Sequence, residues 1–255
     1  MADSAAWLFP PKPPVLAENE LHVWRASLDL SPDVIERFQI TLSEHEKERA
    51  QRFLVPQARE RFIAGRGILR ELLGRYLALA PEEIEFQYGP DGKPSLSAGH
   101  NSAIRFSVSH SQDMALFAMA AGSEVGVDIE AMKADFRGMQ IASHFFSDEE
   151  VASLARLEQK SATEGFFACW TKKEAYVKAR GKGLGIPLRS FTVKFAEDKQ
   201  GLQDEEGKAW SCYTLTPSPE FSGAVVVAGE DWKLRYWEWS AGEMSLDRLR
   251  SNART

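Results

Sequence analysis

The stretch Val125-Gly126-Val127-Asp128-Ile129-Glu130 alternates apolar side chains with glycine or acid. A strand sends every second side chain to the same face, so Asp128 and Glu130 point one way, ~6.6 Å apart along the chain. Such a strand needs a core on one face and something that takes the charge on the other. A third acid, Glu174, lies in Trp170-Thr-Lys-Lys-Glu-Ala-Tyr-Val-Lys178. Helical steps from it reach Phe167, Trp170 and Val177, so a charge occupies a stripe predicted to face the core. Hard oxygen ligands of this kind suit Mg²⁺, which takes one or two carboxylates and completes its shell with water and phosphate. Two other readings stand beside this one: an Asp-x-Glu pair on a solvated strand face, and Glu174 neutralised by Lys178 four residues on. The basic company of Glu174, namely Lys172, Lys173, Lys178, Arg180 and Lys182 before a glycine-rich exit at Gly181-Lys182-Gly183, favours metal plus phosphate.

The surrounding pattern is helices followed by strands, twice. A strand is predicted over Leu21 to Leu30, and Ser43-Glu44-His45-Glu46 is a capping box that starts a helix ending before Pro56. A second helix, with Phe62, Ile63, Leu69, Leu72, Leu73, Tyr76 and Leu77 on its apolar face, ends before Pro81. Strands over Ala103 to Ser109, Met114 to Ala120 and Val125 to Glu130, joined by tight connections, predict an antiparallel meander. Two further capping boxes follow, Ser147 to Glu150 and Ser161 to Glu164, the latter expected to start the Glu174 helix. Strands are then expected at Phe191 to Phe195, Trp210 to Thr216, Ala224 to Ala228 and Leu234 to Trp239. The fold class is α+β, two similar helix-plus-antiparallel-sheet units forming an intramolecular pseudo-dimer, divided as 1–124 and 125–255. The three acids then converge on an inter-domain cleft, the kind of place where small ligands bind.

Composition narrows the partners. A formal charge of -6 argues against a general nucleic-acid binder, so local basic clusters serve something small. Cys169 and Cys212 are too few for a disulfide framework or a spaced zinc site, which fits a reducing cytoplasm. No export signal or membrane-length apolar run is visible, and Phe9-Pro10-Pro11-Lys12-Pro13-Pro14 reads as an extended lead-in.

Gly-Val-Asp-Ile-Glu at 126–130, the Trp170 to Lys178 motif with Gly181-Lys-Gly-Leu184 after it, and Gly-Lys-Pro at 92–94 and Ser-Val-Ser-His-Ser at 107–111 upstream, taken in this order, resemble the 4'-phosphopantetheinyl transferases of the larger, Sfp-type class. The resemblance runs from about Ser43 to Phe195. It implies transfer of the phosphopantetheine arm of coenzyme A to a serine of an acyl or peptidyl carrier protein, with Mg²⁺ and release of adenosine 3',5'-bisphosphate. It implies Asp128, Glu130 and Glu174 as metal ligands, and Arg61, Lys93, Ser109, His110, Lys173 and Lys178 as coenzyme A contacts. Near Glu46 to Arg49, where the family can offer two lysines for the 3'-phosphate, only Arg49 is basic at the places the resemblance matches. A monomer is expected, acting on neither nucleic acid nor membrane.

Independent chemistry agrees with these roles, because phosphoryl-linked transfer rests on charge neutralisation, an in-line nucleophile and a base. Glu174, with Lys178 beside it, is the expected catalytic group, accepting the serine proton directly or through water. Plainer readings accompany several residues: Arg61 as a solvated helix position among Arg59, Arg66 and Arg70, His110 as a satisfied loop histidine, and Glu150 as the third residue of its capping box. Phe145 and Phe146 divide between a hydrophobic staple and an apolar lip for the carrier, with Lys133 and Arg137 as cationic flanks. The alternative functions are a Mg²⁺-dependent phosphohydrolase, for which no second-metal ligands are in register, and a non-catalytic coenzyme-A-binding module.

Overall fold

The computed structural model describes residues 6–10, 14–89, 92–133, 136, 138–181 and 185–242. Arg137, Lys182, Gly183, Leu184 and part of the proline-rich lead-in, all named above, lie outside them. The first half runs β1 (Glu20–Ser27), α1 (Pro32–Thr41), α2 (Glu44–Gln51), α3 (Pro56–Leu77), β2 (Phe86–Tyr88), β3 (Pro94–Leu96), β4 (Ile104–Ser111) and β5 (Met114–Ala121). The second runs β6 (Val125–Ala131), α4 (Met139–Phe145), α5 (Asp148–Leu154), α6 (Gln159–Arg180), β7 (Lys199–Gln203), β8 (Ala209–Leu215), β9 (Phe221–Ala228) and β10 (Lys233–Glu238).

These form two four-stranded sheets, ordered β10-β1-β5-β4 and β6-β9-β8-β7, with β2 and β3 as a separate hairpin. One face of the first sheet, carrying Trp24, Ala26 and Phe117, packs on Ile63, Ile68 and Leu72 of α3. Its other face, with Leu21, Val23, Leu116 and Ala118, meets Val125, Val127, Ile129, Val225 and Val227 of the second sheet. The far side of that second sheet packs Ala224 and Val226 on Ala175, Tyr176 and Ala179 of α6. The fold is therefore α+β, with two sheet-plus-helix units stacked sheet to sheet.

Three expectations change at the strand level. The meander does not continue past β5, because β1 occupies the free edge of β5 (Leu21 opposite Ala120) and β6 instead pairs with β9. β10 crosses back to pair in parallel with β1, so the C-terminal strand completes the first sheet. Phe191 to Phe195 alternates like a strand but forms none. Its backbone groups are taken by side chains: Glu150 accepts from Val193 N at 2.7 Å, Gln200 from Lys194 N at 2.8 Å, and Lys172 and Lys173 donate to the Lys194 and Phe191 carbonyls.

Helix starts follow local chemistry in two of three cases. Ser43 with Glu46 and Ser147 with Glu150 form reciprocal capping boxes on α2 and α5. The Ser161 box is not used, since α6 begins three residues earlier with Glu158 as its N-cap. Phe146 precedes the Ser147 cap and is fully buried, which makes it the staple residue, whereas Phe145 is 47% exposed. α1, α4, β7 and the β2–β3 hairpin add to the predicted elements. Among the described residues no helix is long and apolar enough to cross a membrane.

Candidate active site

β4 and β6 are the facing edges of the two sheets, and serine hydroxyls join them where a backbone ladder would otherwise run. Ser107 Oγ accepts from Val127 N at 3.1 Å, Ser109 Oγ donates to Asp128 Oδ1 at 2.8 Å, and Ser111 Oγ donates to Glu130 Oε2 at 3.0 Å. The partners advance together along both strands, so these edges run side by side in the same direction and each covers the other. Alternation on β4 puts its serines on one face, and alternation on β6 turns Gly126, Asp128 and Glu130 toward α6. Gly126 makes that approach possible: a Cβ there would stand 2.1 Å from the Ala175 carbonyl oxygen.

The close approach brings Lys178 to Asp128. Its ammonium lies 2.6 Å from Asp128 Oδ1 and donates to Ser109 Oγ at 2.9 Å. Lys178 therefore engages Asp128 where an i,i+4 pair with Glu174 had been the plainer reading. Asp128 is only 4% exposed, and its Oδ2 has no hydrogen-bond partner among the described residues. Burial raises the Asp128 carboxyl above its ordinary range, outweighing Lys178 and Ser109. Burial also raises Glu130, with the charge of Asp128 adding to it, and raises Glu174, where Asp128 and Glu130 add and Lys178 opposes. The three acids thus feel one another across the strand–helix contact.

Glu174 stands at the edge of a cleft of about 420 Å³ between the two units. Of its stripe on α6, Phe167 and Trp170 pack in an aromatic core cluster as expected, while Glu174 and the largely buried Val177 line this opening. Arg49, Arg61 and Arg66 line the α2–α3 side, Lys93 and His110 come from the first unit, and Lys178 from the second. Phe62 on the same wall has the guanidinium carbons of Arg49 and Arg66 5.4 and 5.8 Å from its ring centre. A second hollow of about 350 Å³ lies on the other side of the acids, lined by Glu130, Lys133 and the aromatic Phe136, Phe166, Phe167 and Trp170. The acid cluster separates a basic cleft from an aromatic one.

Not every expected cation reaches the cleft. Lys173 is fully buried, 2.9 Å from Glu150 Oε2, with its remaining donors on the Leu188 and Phe191 carbonyls. It does not line the cleft, unlike the placement expected for a coenzyme A contact. Lys172 is likewise buried and donates to the Lys194 and Glu197 carbonyls, and Arg180 pairs with Glu205. These side chains fasten the 188–205 segment to α6. Lys93 faces the cleft while bracing it, donating to Lys178 O at 2.7 Å and Val125 O at 3.1 Å, and burial lowers its pKa. His110 lies within β4, and burial followed by the nearby Lys178, Arg61 and Arg66 lowers its pKa. Ser109 is buried behind the cleft lining on Asp128.

The family description "4'-phosphopantetheinyl transferase superfamily" matches residues 124–228, and "4'-phosphopantetheinyl transferase, N-terminal" matches residues 30–122. A relative, the 4'-phosphopantetheinyl transferase HetI of Nostoc sp., is 36% identical over 91% of this chain and 98% of its own length. This chain belongs to the 4'-phosphopantetheinyl transferases. The transferase Sfp of Bacillus subtilis is 30% identical over 80% of this chain and 89% of Sfp. Among solved structures, a holo-(acyl-carrier-protein) synthase from Bacillus anthracis in complex with coenzyme A aligns at 21% identity with a TM-score of 0.31, covering 41% of this chain and 94% of that one.

Two parts of the transferase's site escaped the sequence reading. Arg66, which lines the cleft and sits 3.9 Å from Glu46, shares the α3 surface with Arg61 and Phe62 at i+5 and i+4, a spacing that could have singled it out. Ser107, Ser109 and Ser111 recur with a period of two, the signature of one polar strand face, although only Ser109 had been assigned a role.

Proposed function

We propose that this transferase moves the 4'-phosphopantetheine group of coenzyme A onto a serine of an acyl or peptidyl carrier protein and releases adenosine 3',5'-bisphosphate. The observation that carries the reading is the junction itself: a cation-lined cleft ends at three mutually repelling carboxylates, and both units supply its walls. Arg49, Arg61, Arg66 and His110 receive the nucleotide and its phosphates, and Lys178 the pyrophosphate. Lys93 holds the cleft wall by its two carbonyl contacts and meets the nucleotide from there.

Among the described residues no three His, Cys, Asp or Glu side chains, as placed, form a set that could hold a metal ion. The donor chemistry nevertheless fits Mg²⁺. Among the described residues a buried oxygen of Asp128 is without a partner; burial raises all three carboxyls and the neighbouring carboxylates raise Glu130 and Glu174 further, a penalty that a divalent cation relieves. Asp128, Glu130 and Glu174 would hold it, and when bound it neutralises charge on the pyrophosphate. In this reading Glu174 accepts the proton of the carrier serine as the serine oxygen attacks phosphorus. The bond from phosphorus to the bridging oxygen breaks, and the bisphosphate leaves with the electron pair.

The proposal includes units at 1–124 and 125–255 exchanging one strand, a monomer whose two units complete one cleft, and a cytoplasmic setting suited to the free, buried thiols of Cys169 and Cys212. The test is to incubate the protein with coenzyme A, Mg²⁺ and unmodified carrier proteins, then weigh the carriers. A carrier gaining one phosphopantetheine supports transfer. Hydrolysis of coenzyme A without carrier modification would point to a phosphohydrolase, and binding without turnover to a coenzyme-A-binding module.

A further inference from the structure

Arg61 enters the cleft already oriented. Its Nε donates to Asp29 Oδ1 at 2.7 Å and its Nη2 to Asp29 Oδ2 at 2.9 Å, a two-pronged pair. That fork occupies one edge of the guanidinium and leaves the Nη1 donors unengaged by the carboxylate. Asp29 is half exposed, yet its backbone is pinned. Leu28 is buried at 1% exposure and donates its N–H to Asp113 O at 2.6 Å across the β4–β5 turn, and Asp29 N–H donates to Ser27 Oγ at 3.3 Å. Leu28 also lines the cleft, so the segment that fixes the carboxylate is part of the cleft wall.

We propose that Asp29 is a positioning residue for coenzyme A, holding Arg61 by its Nε–Nη2 edge so that Nη1 is presented to an anionic group of the bound nucleotide. The inference rests on the proposed reading of Arg61 as a coenzyme A contact. A carboxylate beside a phosphate-binding arginine has two opposed effects, since it orders a flexible side chain before the ligand arrives and it also repels the ligand's charge. The geometry decides for ordering. The acid sits on the guanidinium edge that a ligand need not use, and binding can proceed without breaking the pair.

The experiment compares Asp29→Asn, Asp29→Glu, Arg61→Gln and the Asp29→Asn/Arg61→Gln double variant in the full chain. It measures KM and kcat with coenzyme A and a carrier protein, and separately the Kd for adenosine 3',5'-bisphosphate by calorimetry. Asp29→Asn should raise KM for coenzyme A about fivefold and weaken bisphosphate binding by a similar factor, the size expected when one charge-assisted hydrogen bond is loosened. Its kcat should stay within about twofold. Asp29→Glu should recover most of the loss, and Asp29→Asn should add nothing in the Arg61→Gln background. A lower KM in Asp29→Asn, unchanged constants while Arg61→Gln binds poorly, or a full effect persisting without Arg61 would each overturn the inference and leave the reading of Arg61 intact. Unchanged binding in Arg61→Gln itself would instead remove Arg61 from the coenzyme A contacts, and the inference with it.

Discussion

Gly126 of β6 and Ala175 of α6 approach so closely that a single methyl on the glycine would stand 2.1 Å from the Ala175 carbonyl oxygen. The backbone of Ala179 is almost as near, with its nitrogen at 2.3 Å from the same point. A methyl meeting two backbone atoms cannot be absorbed by a side-chain rotation, so Gly126→Ala must move the strand or the helix. We expect a loss of about 1–3 kcal/mol in urea unfolding. Because the same contact sets the Lys178–Asp128 distance, kcat should fall as well. Full activity in a folded Gly126→Ala protein would show that the acid cluster tolerates a wider spacing.

Neutralising the acids separates chemistry from folding. Asp128→Asn and Glu174→Gln should each lower kcat at saturating Mg²⁺ by about 10²-fold or more, the scale of losing a group aimed at transition-state charge. Both should retain the far-ultraviolet circular dichroism of the parent. Near-normal turnover of either variant would move the metal site.

Lys173 invites the opposite outcome. With Glu150 buried at 1% exposure beside it, Lys173→Met leaves an uncompensated carboxylate in the interior, at a cost of about 3–5 kcal/mol. KM for coenzyme A in protein that remains folded should not change. A selective rise in that KM without loss of stability would restore Lys173 to the ligand site.

The two neighbouring phenylalanines should behave differently. Phe145 is exposed and edge-on to Trp170, so Phe145→Ser should raise KM for the carrier and leave KM for coenzyme A unchanged. Phe146, fully buried and stacked on Phe166, is structural, and its replacement by Ser should cost about 3–5 kcal/mol. Unchanged carrier kinetics in Phe145→Ser would place the docking surface elsewhere.

His22 supplies a pH signature. It is buried on β1 with Nδ1 2.7 Å from the Tyr76 hydroxyl, and burial, opposed by Glu20, holds its imidazole below the ordinary value of 6.5. The unfolded chain therefore takes up a proton near that value while the folded chain does not. Stability is lost as pH falls from neutrality through this range, by at most about 1.4 kcal/mol per pH unit for one group. His22→Gln should flatten the decline in denaturation midpoint between about pH 7 and pH 5. Glu20, which despite its burial is held below 4.5 by Arg235 and His22, loses its contribution only at lower pH. An equally steep decline in the variant would assign the dependence to another group.

The acids were legible because they break a pattern: charges at alternate positions of one strand and within an apolar helical stripe. The capping boxes of α2 and α5 were legible for the same local reason. The neighbouring lysines were not, since a sequence gives their charge without saying which ridge of α6 turns inward, and the buried Lys172 and Lys173 donate to backbone carbonyls of Lys194 and Leu188. α1 buries only Val34 and Phe38, a stripe too sparse to stand out, and β7 reads Lys-Gln-Gly-Leu-Gln, which carries no strand period. Phe191 to Phe195 shows the converse, with a convincing alternation whose hydrogen bonds go to side chains. Strand partners were the least legible part, because the choice of β9 over β5 for β6 depends on edges supplied by distant segments.

The return of β10 to the side of β1 sets the order in which a growing chain can finish this protein. Glu20 and Lys233 are register partners, so the first sheet is missing one edge until β10, more than two hundred residues after β1, has left the ribosome. During that interval β1 exposes an unpaired edge next to an already formed β4–β5 hairpin. Synthesis that stalls after β9 would leave the acid cluster assembled on an open, adhesive sheet, so a chain ending before residue 233 should be recovered chiefly as aggregate.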